Sequence, residues 1–420
     1  MTPIPVARSG VRLLPDARRV ITKPFAPGEF ASADGDVALE AVLRRVMAVP
    51  EAELETTLAA TRARFGDRHP DLDDLLERSC EGVAGLLDDA ARPSPARRLL
   101  IGAYFLHEYA FEAAALTNPS MVPSPDQSAV EPGSLRFVMS LRAIGEGHRS
   151  SIEFRTGVVD ALGDISIDEP GGHPLTGTRE TDDSIVFPPG SQMSERVLYP
   201  SRPDERGGVE DARFVRFRDD DDSVTYYATY TAFDGEHIRP RLLESADFVT
   251  FRVHELEGEA AQDKGLALFP RLVDGRYAAL SRQDDESNHL VFSDDLRTWR
   301  RPRRIQAPQR PWELTKLGNS GSPIETDAGW LVITHGVGPL REYALGAMLL
   351  DIDDPGRVLG SLDEPLLVAD RDERDGYVPN VVYSCGSLVH DDLLVVPYGF
   401  SDRGTSIATV ALTDLLDRLV

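Results

Sequence analysis

The feature that most constrains this chain is a change of texture near residue 116. Beyond it, apolar runs shorten to the length of a strand and alternate with Gly, Asp and Pro, as in LRFVMSLRAI (135–144), VTYYATYTAF (224–233), GWLVITHGV (329–337) and LLVVPYGF (393–400). β-branched and aromatic side chains suit a pleated, half-buried surface, and the punctuating residues suit turns, so these runs read as short strands. No amphipathic helix separates them. That pattern predicts an antiparallel sheet and excludes a doubly wound parallel one.

A repeat sharpens the expectation. SADFVTF (245–251) and SDDLRTW (293–299) share Ser-x-Asp-apolar-x-Thr-aromatic, and each follows an apolar strand pair. Their separation is about one four-stranded unit. GWLVITHGV…ALGAMLLDIDDP and DLLVVPYGF…SIATVALTDL read as two further units. About 300 residues at roughly 50 to 60 per unit gives about five, which predicts an all-β five-bladed β-propeller over 116–420, with a β-sandwich as the alternative. Before this region, 38–49, 51–65, 71–90 and 96–116 carry apolar residues at helical spacing, with Pro or Asp at or just before their starts. Residues 1–115 therefore read as a mainly helical N-terminal segment, suited to cap one mouth of a propeller or to mediate self-association as a homo-oligomer.

Composition limits the functional classes. A chain of 420 residues with 41% hydrophobic content has ample material for one large core or two ordinary ones. Its formal charge of -25 repels nucleic acid and anionic membrane surfaces. No continuous apolar stretch has the length of a membrane span or the form of a signal h-region, so a cytoplasmic enzyme is expected. Cys80 and Cys385 have no ligand-like spacing and read as buried free thiols, with no metal site. The run RDDDDS (218–223) lacks the glycine and closing glutamate of a calcium loop and reads as a solvated hairpin turn.

Residues with chemical potential fall at strand ends. Asp211 stands in GGVEDARF, Lys264 in QDKGLALFP, Arg282 at the end of RYAALSR, Lys316 in LTKLGNSGSP, His335 at the end of WLVITHG and Asp402 after PYGFS. Only three lysines occur in the chain, Lys23, Lys264 and Lys316, so two of them sit in this set. Each cation alone reads most simply as a solvated charge or an ion-pair partner. Brought together, they would bind a tetrahedral oxyanion by charge-assisted hydrogen bonds. A glycosidic bond needs an acid for its leaving oxygen, and hydrolysis needs a second carboxylate, whereas an anionic nucleophile such as phosphate needs cations instead. Glu210 adjoins Asp211, but neighbours on an extended strand point to opposite faces, which predicts that they do not share a site.

The ordered motifs NPS (118–120), GGVEDAR (207–213), KGLALFP (264–270), LSR (280–282), HLVFSDDLRTW (289–299), LTKLGNSGSPIETDAGWLVITHGV (314–337), GYVPNVVYSCG (376–386) and YGFSD (398–402) resemble glycoside hydrolase family 130. This is the family of inverting β-mannoside phosphorylases and related mannosidases. The resemblance implies a five-bladed propeller and makes Asp211 the catalytic acid, delivering its proton through the 3-hydroxyl of the mannosyl unit. It further implies phosphate binding by Lys264, Arg282, Lys316 and His335, and sugar contacts by Asn118, Ser120, Arg142, Asn380 and Asp402. Inorganic phosphate is then a co-substrate beside a mannoside oligosaccharide, with no other cofactor. The sequence departs from the family pattern at Ala212, where proline is usual, across 121–160, and in the larger N-terminal segment. An inverting β-mannosidase remains the alternative, with Glu325 or Glu342 as candidate base, and a non-catalytic glycan-binding propeller stands behind it.

Overall fold

The computed structural model describes residues 4–25, 35–87, 93–181 and 183–419. The chain is β-dominated with few helices, and it divides into two compact units. One comprises Arg18–Ala110 with Gly172–Leu175; the other comprises Met1–Ala17, Phe111–Gly171 and Thr176–Val420. The boundary is therefore not a single cut near 115. The strand Ala7–Leu13 leaves the helical region and pairs antiparallel with Gly404–Ala411, placing Arg8 opposite Ala408 and Leu13 opposite Thr405.

In the smaller unit the helices are Gly35–Met47, Glu51–Phe65, Leu72–Gly82 and Pro95–Tyr104. Their core is Leu43, Val46, Leu54, Leu58, Cys80, Leu100 and Ile101. Buried Arg97 donates to the carbonyls of Val46, Met47 and Val49, at and just past the end of the first helix, where carbonyls run out of intrahelical donors. The helix expected over 96–116 stops at Tyr104. Residues Leu106–Ala110 instead pair with Val20–Pro24, and Ala115–Pro123 begins the sheets of the larger unit. Helical spacing of apolar residues here coincides with two strands in succession, and tertiary pairing outweighs local propensity.

Among the described residues the larger unit contains five antiparallel four-stranded meanders. The first is Ala115–Pro123, Leu135–Ile144, Ser150–Val159 and Ile165–Ile167. The second is Gly208–Arg218, Val224–Phe233, Ile238–Ser245 and Thr250–Glu255. The third runs Ala267–Leu268, Tyr277–Ser281, Asn288–Ser293, Arg300–Gln306. The fourth runs Lys316–Asn319, Gly329–Val337, Tyr343–Leu350, Val358–Ser361. The fifth combines Val382–Tyr383, Leu393–Phe400 and Gly404–Ala411 with the N-terminal strand Ala7–Leu13. RDDDDS is the turn between the first two strands of the second meander.

The apolar cores lie between consecutive meanders. Phe154, Phe214, Phe248 and Phe251 join the first two by ring contacts. Val215, Leu242, Leu268 and Ala279 join the second to the third, Leu280, Leu290, Trp330 and Val332 the third to the fourth, and Leu331, Leu349, Leu394 and Tyr398 the fourth to the fifth. Each fully buried side chain of this size contributes about 1.5–3 kcal/mol. The repeated heptapeptide is a turn after the third strand: the Asp247 and Asp295 carboxylates accept from Val249 and Thr250 and from Arg297 and Thr298.

Candidate active site

The first and second strands of the meanders end at a common cavity of ≈ 290 Å³. First strands bring Asn118, Asp211 and Lys316 to it, and Lys264 just precedes another. Second strands bring Arg142 and His335, with Arg282 and Asp402 immediately after two more. Arg341, Tyr343, Tyr383 and Asp285 also line it. Ser120 and Asn380 do not. The Ser120 hydroxyl accepts from the Phe214 backbone amide at 3.0 Å, pinning the first meander to the second. The Asn380 side-chain oxygen accepts from Arg374 at 2.7 Å. Glu325 is paired with Arg271 at 2.8 Å and lines a different cavity, and Glu342 is not among the lining residues.

Several site residues occupy the left-handed region that L-residues avoid: Asn118 at φ 50°, Asp211 at φ 54° and Asp402 at φ 46°. Such conformations cost about 1 kcal/mol or more and persist where the surrounding structure enforces them. At Asp211 the pairing with the neighbouring strand skips from Glu210 to Arg213. This bulge overturns the expectation that Glu210 and Asp211 face apart, because an extra residue re-aims the side chains. Both carboxylates meet Arg142, Glu210 at 2.6 Å and Asp211 at 3.5 Å. Lys264 holds the other Glu210 oxygen at 2.5 Å.

Asp211 accepts from the Asn118 amide at 2.6 Å, while its backbone carbonyl accepts from Arg213 at 3.0 Å. Burial pushes its carboxyl up, but the charges of Arg142, Arg213 and Lys264 and the Asn118 hydrogen bond outweigh burial and hold it below the usual carboxylate range. Asp402 behaves oppositely. Burial lifts its carboxyl, and although Arg142 and Arg341 oppose that, the neighbouring Asp211 and Glu210 charges add to it.

Arg282 passes between two glycines. A Cβ on Gly265 would stand 2.3 Å from its Nε, and one on Gly318 would stand 2.3 Å from its Cδ. The guanidinium is buried at 6% exposure and its Nε has no hydrogen-bond partner among the described residues. Its Nη1 faces His335 Nε2 at 3.1 Å. Burial, then the charges of Arg282, Arg213 and Lys316, hold His335 well below its ordinary value, so the imidazole is neutral and Nε2 accepts from the guanidinium. Tyr383, whose ring packs on His335 at 4.8 Å, accepts from Arg213 at 3.0 Å. The lining thus has five cationic side chains, Arg142, Lys264, Arg282, Lys316 and Arg341, against three carboxylates, Asp211, Asp285 and Asp402. In a chain of formal charge -25, that is a local inversion of sign.

A family model described as beta-1,4-mannooligosaccharide phosphorylase, glycoside hydrolase family 130, matches residues 188–420. The chain belongs to this family. Within family 130, it is 33% identical over 231 residues to a 1,2-beta-oligomannan phosphorylase of Thermoanaerobacter sp. (strain X514), an alignment covering 53% of this chain and 75% of that protein. A beta-1,2-mannobiose phosphorylase of the same organism is also 33% identical, over 234 residues, covering 55% and 74%. Among solved structures, the beta-1,2-mannobiose phosphorylase of Listeria innocua superposes with a TM-score of 0.54 at 19% identity, covering 73% of this chain and 92% of that one, a likeness of fold. The matched segment of this family 130 chain contains every cation of the cavity except Arg142.

Asp211, Lys264, Arg282, Lys316 and His335 are visible as motifs, whereas Glu210 is expected to face away and Arg213, Asp285, Arg341 and Tyr383 are not singled out by residue type. The glycines of KG (264–265) and LG (317–318) mark where the Arg282 side chain passes close to backbone.

Proposed function

We propose that this chain is an inverting β-mannoside phosphorylase, cleaving a β-linked mannoside with inorganic phosphate to give α-mannose 1-phosphate and a shortened sugar. The observation that carries the reading is Arg282, a buried cation without an ionic partner among the described residues, set among further cations beside one restrained aspartate. Such a guanidinium favours an incoming dianion. Family membership and the names of the related proteins support the same substrate class.

The reaction balances without a second carboxylate. Hydrogen phosphate attacks the anomeric carbon, the glycosidic C–O bond breaks with inversion, and the proton carried by hydrogen phosphate ends on the leaving oxygen. Asp211 is the relay for that proton. In the ligand-free cavity its carboxylate is held ionised by Arg142, Arg213 and Lys264. A dianion entering beside Lys264 and Arg282 offsets those charges and raises the affinity of Asp211 for a proton, so protonation of the acid is coupled to phosphate binding. Asn118, Arg142 and Asp402 then serve the mannosyl unit at the acid's end of the cavity.

We read the five meanders as blades of a five-bladed β-propeller, the last closed by the strand Ala7–Leu13. Cores between consecutive meanders and strand ends converging on one cavity support that arrangement. The reaction belongs in the cytoplasm, where inorganic phosphate is abundant. A hydrolytic reading has one observation in its favour, the Asp285 carboxylate at the cation end of the cavity. Release of sugar from mannobiose, assayed with and without phosphate, separates the two: phosphorolysis requires phosphate and yields mannose 1-phosphate, and equal release of free mannose in phosphate-free buffer overturns it.

A further inference from the structure

The cations of the cavity are compensated in two different ways. Lys264 is held by Glu210, which also takes Arg142 on its other oxygen and whose side chain is only 10% exposed. Both oxygens are occupied in a buried setting, so this is a fixed part of the site. Lys316 is held at 2.5 Å by one oxygen of Asp285, whose side chain is 63% exposed. Among the described residues that carboxylate makes no other ion pair or side-chain hydrogen bond. Exposed single-contact ion pairs contribute little and exchange readily.

The backbone that carries Asp285 is constrained on both sides. Its amide donates to the Arg282 carbonyl at 2.8 Å, Asp284 accepts from the amides of Glu286 and Ser287, and the Leu317 amide donates to the Glu286 carbonyl at 3.1 Å. Rotation of the Asp285 side chain therefore releases Lys316 without opening the turn. The carboxylate lines the same cavity as Arg282, three residues earlier, which lacks a counter-ion among the described residues.

Building on the phosphorylase reading, we propose that Asp285 is a resident competitor for the phosphate site: its carboxylate occupies Lys316 in the ligand-free protein and is displaced when phosphate bridges Lys316 and Arg282. A monovalent anion gains too little from one ammonium to replace a carboxylate already there. A dianion gains from Lys316 and Arg282 together, so the competitor selects for charge as well as for affinity.

The test is a titration of the full chain with inorganic phosphate, and separately with nitrate, followed calorimetrically alongside the kinetic KM for phosphate. Asp285→Asn and Asp285→Ser are expected to tighten phosphate about three- to tenfold and to tighten nitrate more. In a Lys316→Ala background, where the competitor has lost its partner, the same substitutions are expected to change phosphate affinity by less than about twofold. Parent protein that binds phosphate, with variants that bind it equally or more weakly, overturns the inference and leaves the phosphorylase reading standing. If neither the parent nor the variants bind phosphate, while mannose is released without it, the functional reading fails instead.

Discussion

Two sets of aspartates in this chain sit at left-handed turns and differ in what their oxygens do. In the repeated heptapeptides, Phe248 at φ 59° and Leu296 at φ 63° directly follow Asp247 and Asp295, whose carboxylates are spent on amides two and three residues away. Asp295 is consequently pulled down to about 2, chiefly by the Thr298 amide. At the cavity, Asp211 adopts the same unusual backbone, but its carboxylate reaches Asn118 and Arg142 on another meander. Local satisfaction makes a turn. Long-range satisfaction makes a site, since such a carboxylate exchanges partners when a ligand changes the charge around it.

Replacing Asp211 breaks the comparison most severely. Asp211→Asn keeps the shape and removes the proton relay proposed for this residue, so turnover on a substrate with a poor leaving group is expected to fall about 10²- to 10⁴-fold, with a much smaller loss on an activated aryl mannoside. Equal loss on both substrates points to a structural role. Next in size is Arg282→Ala, which removes the uncompensated cation. Apparent phosphate affinity is expected to weaken about tenfold or more, as charge-assisted hydrogen bonds of about 1.5–3 kcal/mol are lost. The melting temperature without phosphate should hold or rise, because the like charges of Lys316 and Arg282 share one cavity. Early unfolding with unchanged phosphate affinity would make Arg282 a structural ion instead.

The turn set sharpens the contrast from the other side. Asp295→Ala leaves the amides of Arg297 and Thr298 without their acceptor, as loss of a helix cap does, and is expected to cost about 1 kcal/mol of stability. Denaturant unfolding measures this, and KM for phosphate should not move. A change in phosphate affinity would mean that the turn and the cavity are coupled.

How legible each set was follows from the same distinction. The heptapeptide turns are visible in the sequence because their determinants lie within seven residues, and their spacing gave the four-stranded repeat. The motif aspartate and the cations Lys264, Arg282 and Lys316 were also visible, as residue types at strand ends. What stayed hidden depends on register. The bulge that brings Glu210 and Asp211 together onto Arg142 adjoins Arg213, which reaches the Ser320 carbonyl and Tyr383, more than a hundred residues away. The segment after Tyr104 reads as a helix until Val20–Pro24 supplies a strand partner. Likewise, the Ser120 motif position looks like a sugar ligand until the Phe214 amide is found beside it.

The smallest effect separates two carboxylates within the cavity itself. Asp211 is held below the ordinary carboxylate range, so the stability it contributes is present above about pH 4 and is lost as pH falls through its folded value. Asp402 is raised, so its contribution is complete below about pH 4 and disappears as pH rises through its folded value; at neutral pH its charge is a net cost, imposed by burial and by Asp211 and Glu210. Asp402→Asn is therefore expected to stabilise the ligand-free protein near pH 7, by about 0.5 kcal/mol, and the gain should shrink as pH is lowered toward 4. Asp211→Asn is expected to destabilise at pH 7, to stay destabilised by the same amount down to about pH 4, and to converge on the parent only below that. Thermal melts of the three proteins from pH 7 to about pH 3 read both signs, the Asp402 change above about pH 4 and the Asp211 change below it. Parallel curves, with no convergence, would mean that neither carboxylate is perturbed in the folded state. A gain from Asp402→Asn that grows on acidification would reverse the assignment of which one the cations hold.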